Sequence, residues 1–127
     1  MRTYDTRFFV EHYYSGSPEV TDSTTREIRR EKDKAISSVV VHEVYRLTLQ
    51  KEGRQTARLR TGLMSKDFKV FHVDEQLAVT SAEIRQEYRI PMADSIIAAT
   101  ASALGAACVT DDPHIQKIRE VKTRWIV

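Results

Sequence analysis

Hydrophobic positions along this chain fall into segments of two periods, one helical and one alternating. Residues 92–104 are the plainest helical case. Ile96, Ile97, Ala98, Ala99, Ala101, Ala103 and Leu104 cover nearly every side of a helix opened by Pro91, and a helix apolar all round has to be buried. Gly105 ends it as a residue suited to a left-handed cap. Residues 106–110 then read as a strand, 113–119 as a short helix and 124–127 as a final strand. Upstream, Val40, Val44 and Leu47 recur at helical spacing over 39–51 until Glu52-Gly53 stops them. Ala57, Leu59 and Leu63 mark another helix over 54–65, residues 69–73 alternate as a strand, and Asp74 caps a helix reaching residue 88.

The first third is shorter in its elements. Residues 1–5 form a very short strand, after which Asp5 or Thr6 caps a helix to residue 14 with Phe8, Phe9 and Tyr13 on its buried side. Ser15-Gly16-Ser17-Pro18 ends that helix, an Arg- and Glu-rich helix covers 18–32, and 35–38 is a short buried strand. Strands alternating with helices imply a mainly parallel sheet flanked by helices, an α/β fold. A chain of 127 residues accommodates one domain, 1–127, and no second.

Composition changes this picture little. With 41% hydrophobic and 30% charged residues the chain is an ordinary globular mixture. A formal charge of +2 is too small to diagnose nucleic-acid binding, although it permits a locally basic face. The single cysteine, Cys108, excludes an intrachain disulfide and cysteine-based zinc motifs; its apolar neighbours make it a small core residue. The first residues carry no signal-peptide core, and no apolar run nears the roughly 20 residues that span a bilayer. A cytoplasmic protein with no membrane contact is expected.

The distribution of acids is more informative. Ligand sites in open parallel sheets form outside the carboxyl ends of the strands. Asp5 ends the first strand, and Asp111 and Asp112 directly follow the strand at 106–110. Asp94 lies in the first turn of the apolar helix, and Glu43 in the first turns of the helix that follows strand 35–38. Each has an ordinary reading: a cap at Asp5, a balanced helix dipole at Asp94, turn residues at Asp111 and Asp112, a solvated charge at Glu43. Chance would scatter such acids over both ends of the sheet. Together at one mouth they call for a divalent cation, and carboxylate oxygens favour Mg²⁺ or Mn²⁺ over zinc. The histidines His12, His42, His72 and His114 show no ligand spacing and are read as surface or packing residues.

The segments Tyr4-Asp5-Thr6, Ser37 to Glu43, Ala93 to Ala101 and Val109-Thr110-Asp111-Asp112 together resemble the PIN-domain nucleases. Their order and spacing are similar to those of VapC-type toxins of prokaryotic toxin–antitoxin pairs and their archaeal relatives, over nearly the whole chain. The resemblance implies a PIN-like (flavodoxin-like) three-layer sandwich and a Mg²⁺- or Mn²⁺-dependent endoribonuclease. It implies Asp5, Glu43, Asp94 and Asp112 as the catalytic, metal-binding set. A Thr-x-Asp pattern selects Asp112 rather than Asp111, which becomes an outer acid, and Thr110 and Thr6 become supporting hydroxyls. It also implies an RNA substrate, a cognate antitoxin that covers the acidic mouth, and a homodimer.

RNA drawn to an acidic mouth needs flanking cations. Arg7 lies nearest; Arg26, Arg29, Arg30, Lys32 and Lys34 form a second group, and Arg54, Arg58 and Arg60 a third, each equally readable as a solvated face. The surplus of Phe8, Phe9, Tyr13 and Tyr14 over one helix face serves either an interface or the core. Rival readings are an RNA-processing PIN nuclease without an antitoxin and a catalytically inactive binding module on the same fold. A phosphotransfer receiver is disfavoured because Asp5 lacks an acidic neighbour and no late strand ends in Lys. A haloacid-type phosphatase is disfavoured because Thr6-Arg7 denies Asp-x-Asp.

Overall fold

The structure, a computed structural model, describes residues 1–126. Its elements in chain order are β1 (Arg2–Tyr4), α1 (Thr6–Tyr14), α2 (Pro18–Arg30), β2 (Lys34–Ser37), α3 (Ser38–Glu52), α4 (Arg54–Asp67), β3 (Lys69–Phe71), α5 (Glu75–Tyr88), α6 (Met92–Leu104), β4 (Ala107–Val109), α7 (Pro113–Gln116) and β5 (Thr123–Arg124). The final strand, expected over 124–127, ends at Arg124, before the apolar residues Trp125 and Ile126, and Val127 lies outside the described residues.

Every strand pairing is parallel, in the order β3-β2-β1-β4-β5. The fold is α/β, a three-layer PIN-like sandwich with β1 at its centre. Strand order reverses between β1 and β4, and that reversal opens a crevice at the strands' carboxyl ends. α6 packs against β1, β2 and β4 and also meets α3, α5 and α7. Small residues let it approach closely: Ala98, Ala99 and Ala101 are buried, and Gly105 closes the helix at φ +60°. The core joins Tyr4, Phe8, Phe9, Ile36, Val40, Ile97 and Val109 with further apolar residues from every layer. Phe68 stands edge-on to both Tyr4 and Phe9. Cys108 is fully buried there, as expected.

Two expectations need correction. Leu59 and Leu63 of α4 are 66% and 58% exposed; the helix buries Ala57 and Met64 instead. Arg60, between those two on the same stripe, lays its guanidinium 4.0 Å from the Tyr13 ring centre. It also donates to the Tyr14 hydroxyl and to Glu52. The planar cation thus fills the inward packing position between Ala57 and Met64, and Arg60 is not free to hold a phosphate. These contacts also account for Tyr13 and Tyr14 within the chain.

The second correction concerns the α2 cations. Arg2, at the start of β1, pairs with Glu27 at 2.7 Å and Glu31 at 3.2 Å. That ties the half of α2 bearing Arg26, Arg29 and Arg30 to the opposite end of β1 from Asp5. Lys34 sits beside Arg2 in the sheet register. These cations do not flank the acidic mouth. Among the described residues, no helix is long and apolar enough to cross a membrane.

Candidate metal centre

The β1–β4 ladder runs on past β1, because the Asp5 N–H donates to the Val109 carbonyl at 3.2 Å. Asp5 therefore leaves the sheet at the point of strand reversal. It occupies the position before α1 but its side chain does not cap that helix. Instead its Oδ2 accepts a 2.6 Å hydrogen bond from Thr110 Oγ1, and the residue is 2% exposed. The Thr110 oxygen in turn accepts the Asp112 N–H at 3.0 Å. One buried hydroxyl thus sets both the carboxylate after β1 and the turn after β4.

Asp112 does act as a cap: its Oδ1 accepts the His114 N–H at 2.8 Å at the start of α7. Its ordinary reading was a turn residue; the structure makes one of its oxygens a helix cap instead. Asp94 enters from the first turn of α6, half-buried. Glu43 arrives on α3, where its Oε1 accepts the Thr6 hydroxyl across from α1. The register of α3 is itself fixed by Ser37, whose side chain accepts the Val39 N–H.

Electrostatics show that these acids share one space. Burial pushes Asp5 up to about 6, helped by the negative charges of Asp94 and Asp112 and opposed by the Thr110 bond. Burial also raises Asp94, together with the charges of Asp112 and Glu43, against the opposing influence of His114. Asp94 and Asp112 thus act on Asp5, and Asp112 and Glu43 on Asp94, while the donor atoms that lie within 4.8 Å of one another belong to Asp94, Asp112 and His114. Asp111 is turned to Arg7, which donates to it from Nε at 3.1 Å and Nη2 at 3.3 Å; Arg7 also reaches Glu11. Arg7 sits beside the mouth with its charge already balanced by two acids.

His114, read as a surface or packing residue, is exposed, yet it leans on the acids. Its Nδ1 lies 3.1 Å from Asp94 Oδ2 and 3.4 Å from Asp112 Oδ1. Nothing in the residue spacing announces this, because Asp94 is remote in sequence and α7 is only one turn long. His12, by contrast, is a packing residue, bonded to Thr24 and stacked on Phe8.

The donor chemistry suits a hard divalent ion. Carboxylate oxygens predominate, one imidazole stands at the rim, and the only thiol is sealed in the core. The raised pKa values of Asp5 and Asp94 follow from desolvation beside like charges, the repulsion that a bound cation would relieve.

Comparison with known proteins agrees with the fold. No curated protein matches the sequence. Among solved structures, VapBC2 from Rickettsia felis bound to a promoter DNA fragment is similar at 16% identity and TM-score 0.78, covering 98% of this chain and 97% of that one. A toxin–antitoxin complex from Klebsiella pneumoniae is 23% identical at TM-score 0.74, covering 95% of each chain. VapC20 of Mycobacterium tuberculosis, a sarcin-ricin loop cleaving toxin, is 19% identical at TM-score 0.75, covering 96% and 99%. At these identities the likeness establishes the fold. The sequence model of the PIN domain matches residues 3–121, from β1 through the turn that precedes β5, and the chain belongs to the PIN domain family.

Proposed function

We propose that this chain is a metal-dependent endoribonuclease, the toxin of a VapBC-type pair, built as a single domain. The observation that carries the reading is the buried Asp5 carboxylate, fixed by Thr110 at the strand reversal and facing Asp94 and Asp112. A protein does not keep mutually repelling, desolvated carboxylates for stability. Asp5, Glu43, Asp94 and Asp112 would hold Mg²⁺ or Mn²⁺, which when bound polarises a phosphodiester and lowers the pKa of a water.

The chain's own part is positional. Thr110 keeps Asp5 oriented and, through the Asp112 N–H, fixes the spacing of the two acids. Thr6 holds Glu43 towards the same mouth. Arg7, as the cation nearest the mouth, is the candidate to meet an RNA phosphate by exchanging it for Asp111. The toxin–antitoxin complex among the similar structures supports a cognate antitoxin here; we further read the toxin as homodimeric and cytoplasmic, with the antitoxin covering the mouth.

The test is a cleavage assay on total RNA with Mg²⁺ or EDTA, comparing wild type with Asp5→Asn and Asp94→Asn and mapping the cut ends. Cleavage that needs Mg²⁺ and disappears in both folded variants supports the reading. Full activity in either variant overturns it.

A further inference from the structure

The four-acid set leaves the nearest nitrogen donor unexplained. His114 follows Asp112-Pro113, and its ring is set by the turn that sets Asp112: the Thr110 oxygen holds the Asp112 N–H, and Asp112 Oδ1 holds the His114 N–H. The side chain is 49% exposed, so burial alone does not confine the ring. Even so, its Nδ1 stands 3.1 Å from Asp94 Oδ2 and 3.4 Å from Asp112 Oδ1, and all three donor atoms fit within 4.8 Å of one another.

Two roles fit a nitrogen so placed. It could donate a hydrogen bond to the carboxylates, or present its lone pair to the ion that they hold. Adjacent ligand atoms on an octahedral ion about 2.1 Å away are about 3 Å apart. The two separations from Nδ1, 3.1 and 3.4 Å, are close to that edge, so the nitrogen can share a centre with either carboxylate oxygen. Imidazole also changes which ion is favoured. Mg²⁺ prefers oxygen donors and gains little from nitrogen, whereas first-row transition ions gain from it.

We propose that His114 is a metal ligand through Nδ1, completing a mixed site with Asp94 and Asp112 that favours Mn²⁺ over Mg²⁺. This rests on the reading that the acidic mouth binds a divalent ion, and it names a donor and a preference beyond that reading. The ring takes the place that a purely acidic centre would give to water, so its loss should matter for Mn²⁺ and scarcely for Mg²⁺.

The experiment uses the full chain, stripped of metal, titrated with Mn²⁺ and followed by electron paramagnetic resonance. Bound Mn²⁺ is then probed by electron spin echo for coupling to imidazole nitrogen, and Mg²⁺ is measured by competition. Wild type should show the nitrogen coupling. His114→Ala and His114→Gln should lose it, with Mn²⁺ binding weakened about tenfold or more, the size produced by losing even an outer partner of a ligand. Mg²⁺ binding should hardly change, and thermal unfolding should confirm that both variants fold. Bound Mn²⁺ without imidazole coupling in wild type, or equal Mn²⁺ affinity in all three proteins, overturns the ligand role and leaves the acidic site standing. Absence of any Mn²⁺ binding by wild type overturns both.

Discussion

Asp5→Asn is expected to make the metal-free protein more stable while removing its proposed activity. Burial, with the charges of Asp94 and Asp112, carries the Asp5 carboxyl from 3.8 up to about 6. A carboxyl whose pKa rises on folding works against the fold once ionised. The penalty is absent below the unfolded value and grows as pH climbs from 3.8 to about 6. At about 1.4 kcal/mol per pH unit, it reaches about 3 kcal/mol above neutrality. Asparagine preserves the shape and still offers an oxygen to the Thr110 hydroxyl, but carries no charge. In EDTA the variant should therefore exceed wild type by up to about 3 kcal/mol at pH 8 and by less than about 1 kcal/mol at pH 4. Urea unfolding across that range, followed by circular dichroism, measures the difference. Added Mg²⁺ should narrow it, because an ion held only by the folded wild type stabilises that state. A variant that is less stable at pH 8, or a difference that ignores pH, refutes the reasoning.

Thr110→Val keeps volume but leaves the Asp5 carboxylate without its donor, and should cost about 1–3 kcal/mol in urea unfolding. Because the lost bond favours the ionised carboxyl, the cost should be larger at pH 8 than at pH 4; the opposite order would contradict the hydrogen bond. Met64→Ala should lose about 2–5 kcal/mol, whereas Leu59→Ser and Leu63→Ser should stay within about 0.5 kcal/mol of wild type in dilute monomer. Equal losses at all three positions would show that α4 is turned the wrong way. Cys108, fully buried and with its thiol pushed up to about 12 by burial, should resist a thiol reagent until urea unfolds the chain. Labelling of the native protein at the rate seen in urea would place the thiol outside the core.

Much of this was legible in the sequence, for physical reasons that differ by residue. Asp5, Asp94 and Asp112 could be found because strand ends and helix starts in a parallel sheet share one edge. An acid in an otherwise apolar helix, as at Asp94, is costly without a purpose. Glu43 had a weaker local mark, since a glutamate on an amphipathic helix is ordinary, and its assignment depended more on the resemblance than on its place near a helix start. Ala57, Leu59 and Leu63 marked a helix over 54–65, but apolar spacing alone did not say which stripe faces inward. Arg60 supplied the inward surface through a flat cation over Tyr13, and a pattern of apolar letters does not register that. The side chain of His114 was illegible because its role depends on a turn and on a helix remote in sequence, not on any interval along the chain.

The same turn shows how structural and functional readings of one residue coexist. Asp112 caps α7 with Oδ1, the bland role assigned to such acids, and by that bond fixes the main chain of His114. Thr110 holds the main chain of Asp112 while its hydroxyl proton goes to Asp5. Each hydrogen bond stabilises the fold and also sets the position of a side chain at the mouth. The repulsion among the acids is therefore opposed locally, by bonds that hold Asp5 and Asp112 where an ion would find them. Capping and metal binding are thus not competing explanations of Asp112. The cap uses only one lone pair of Oδ1, and the rigidity it confers on the turn is what allows a three-residue span, from Asp112 to His114, to present Oδ1 and Nδ1 3.4 Å apart.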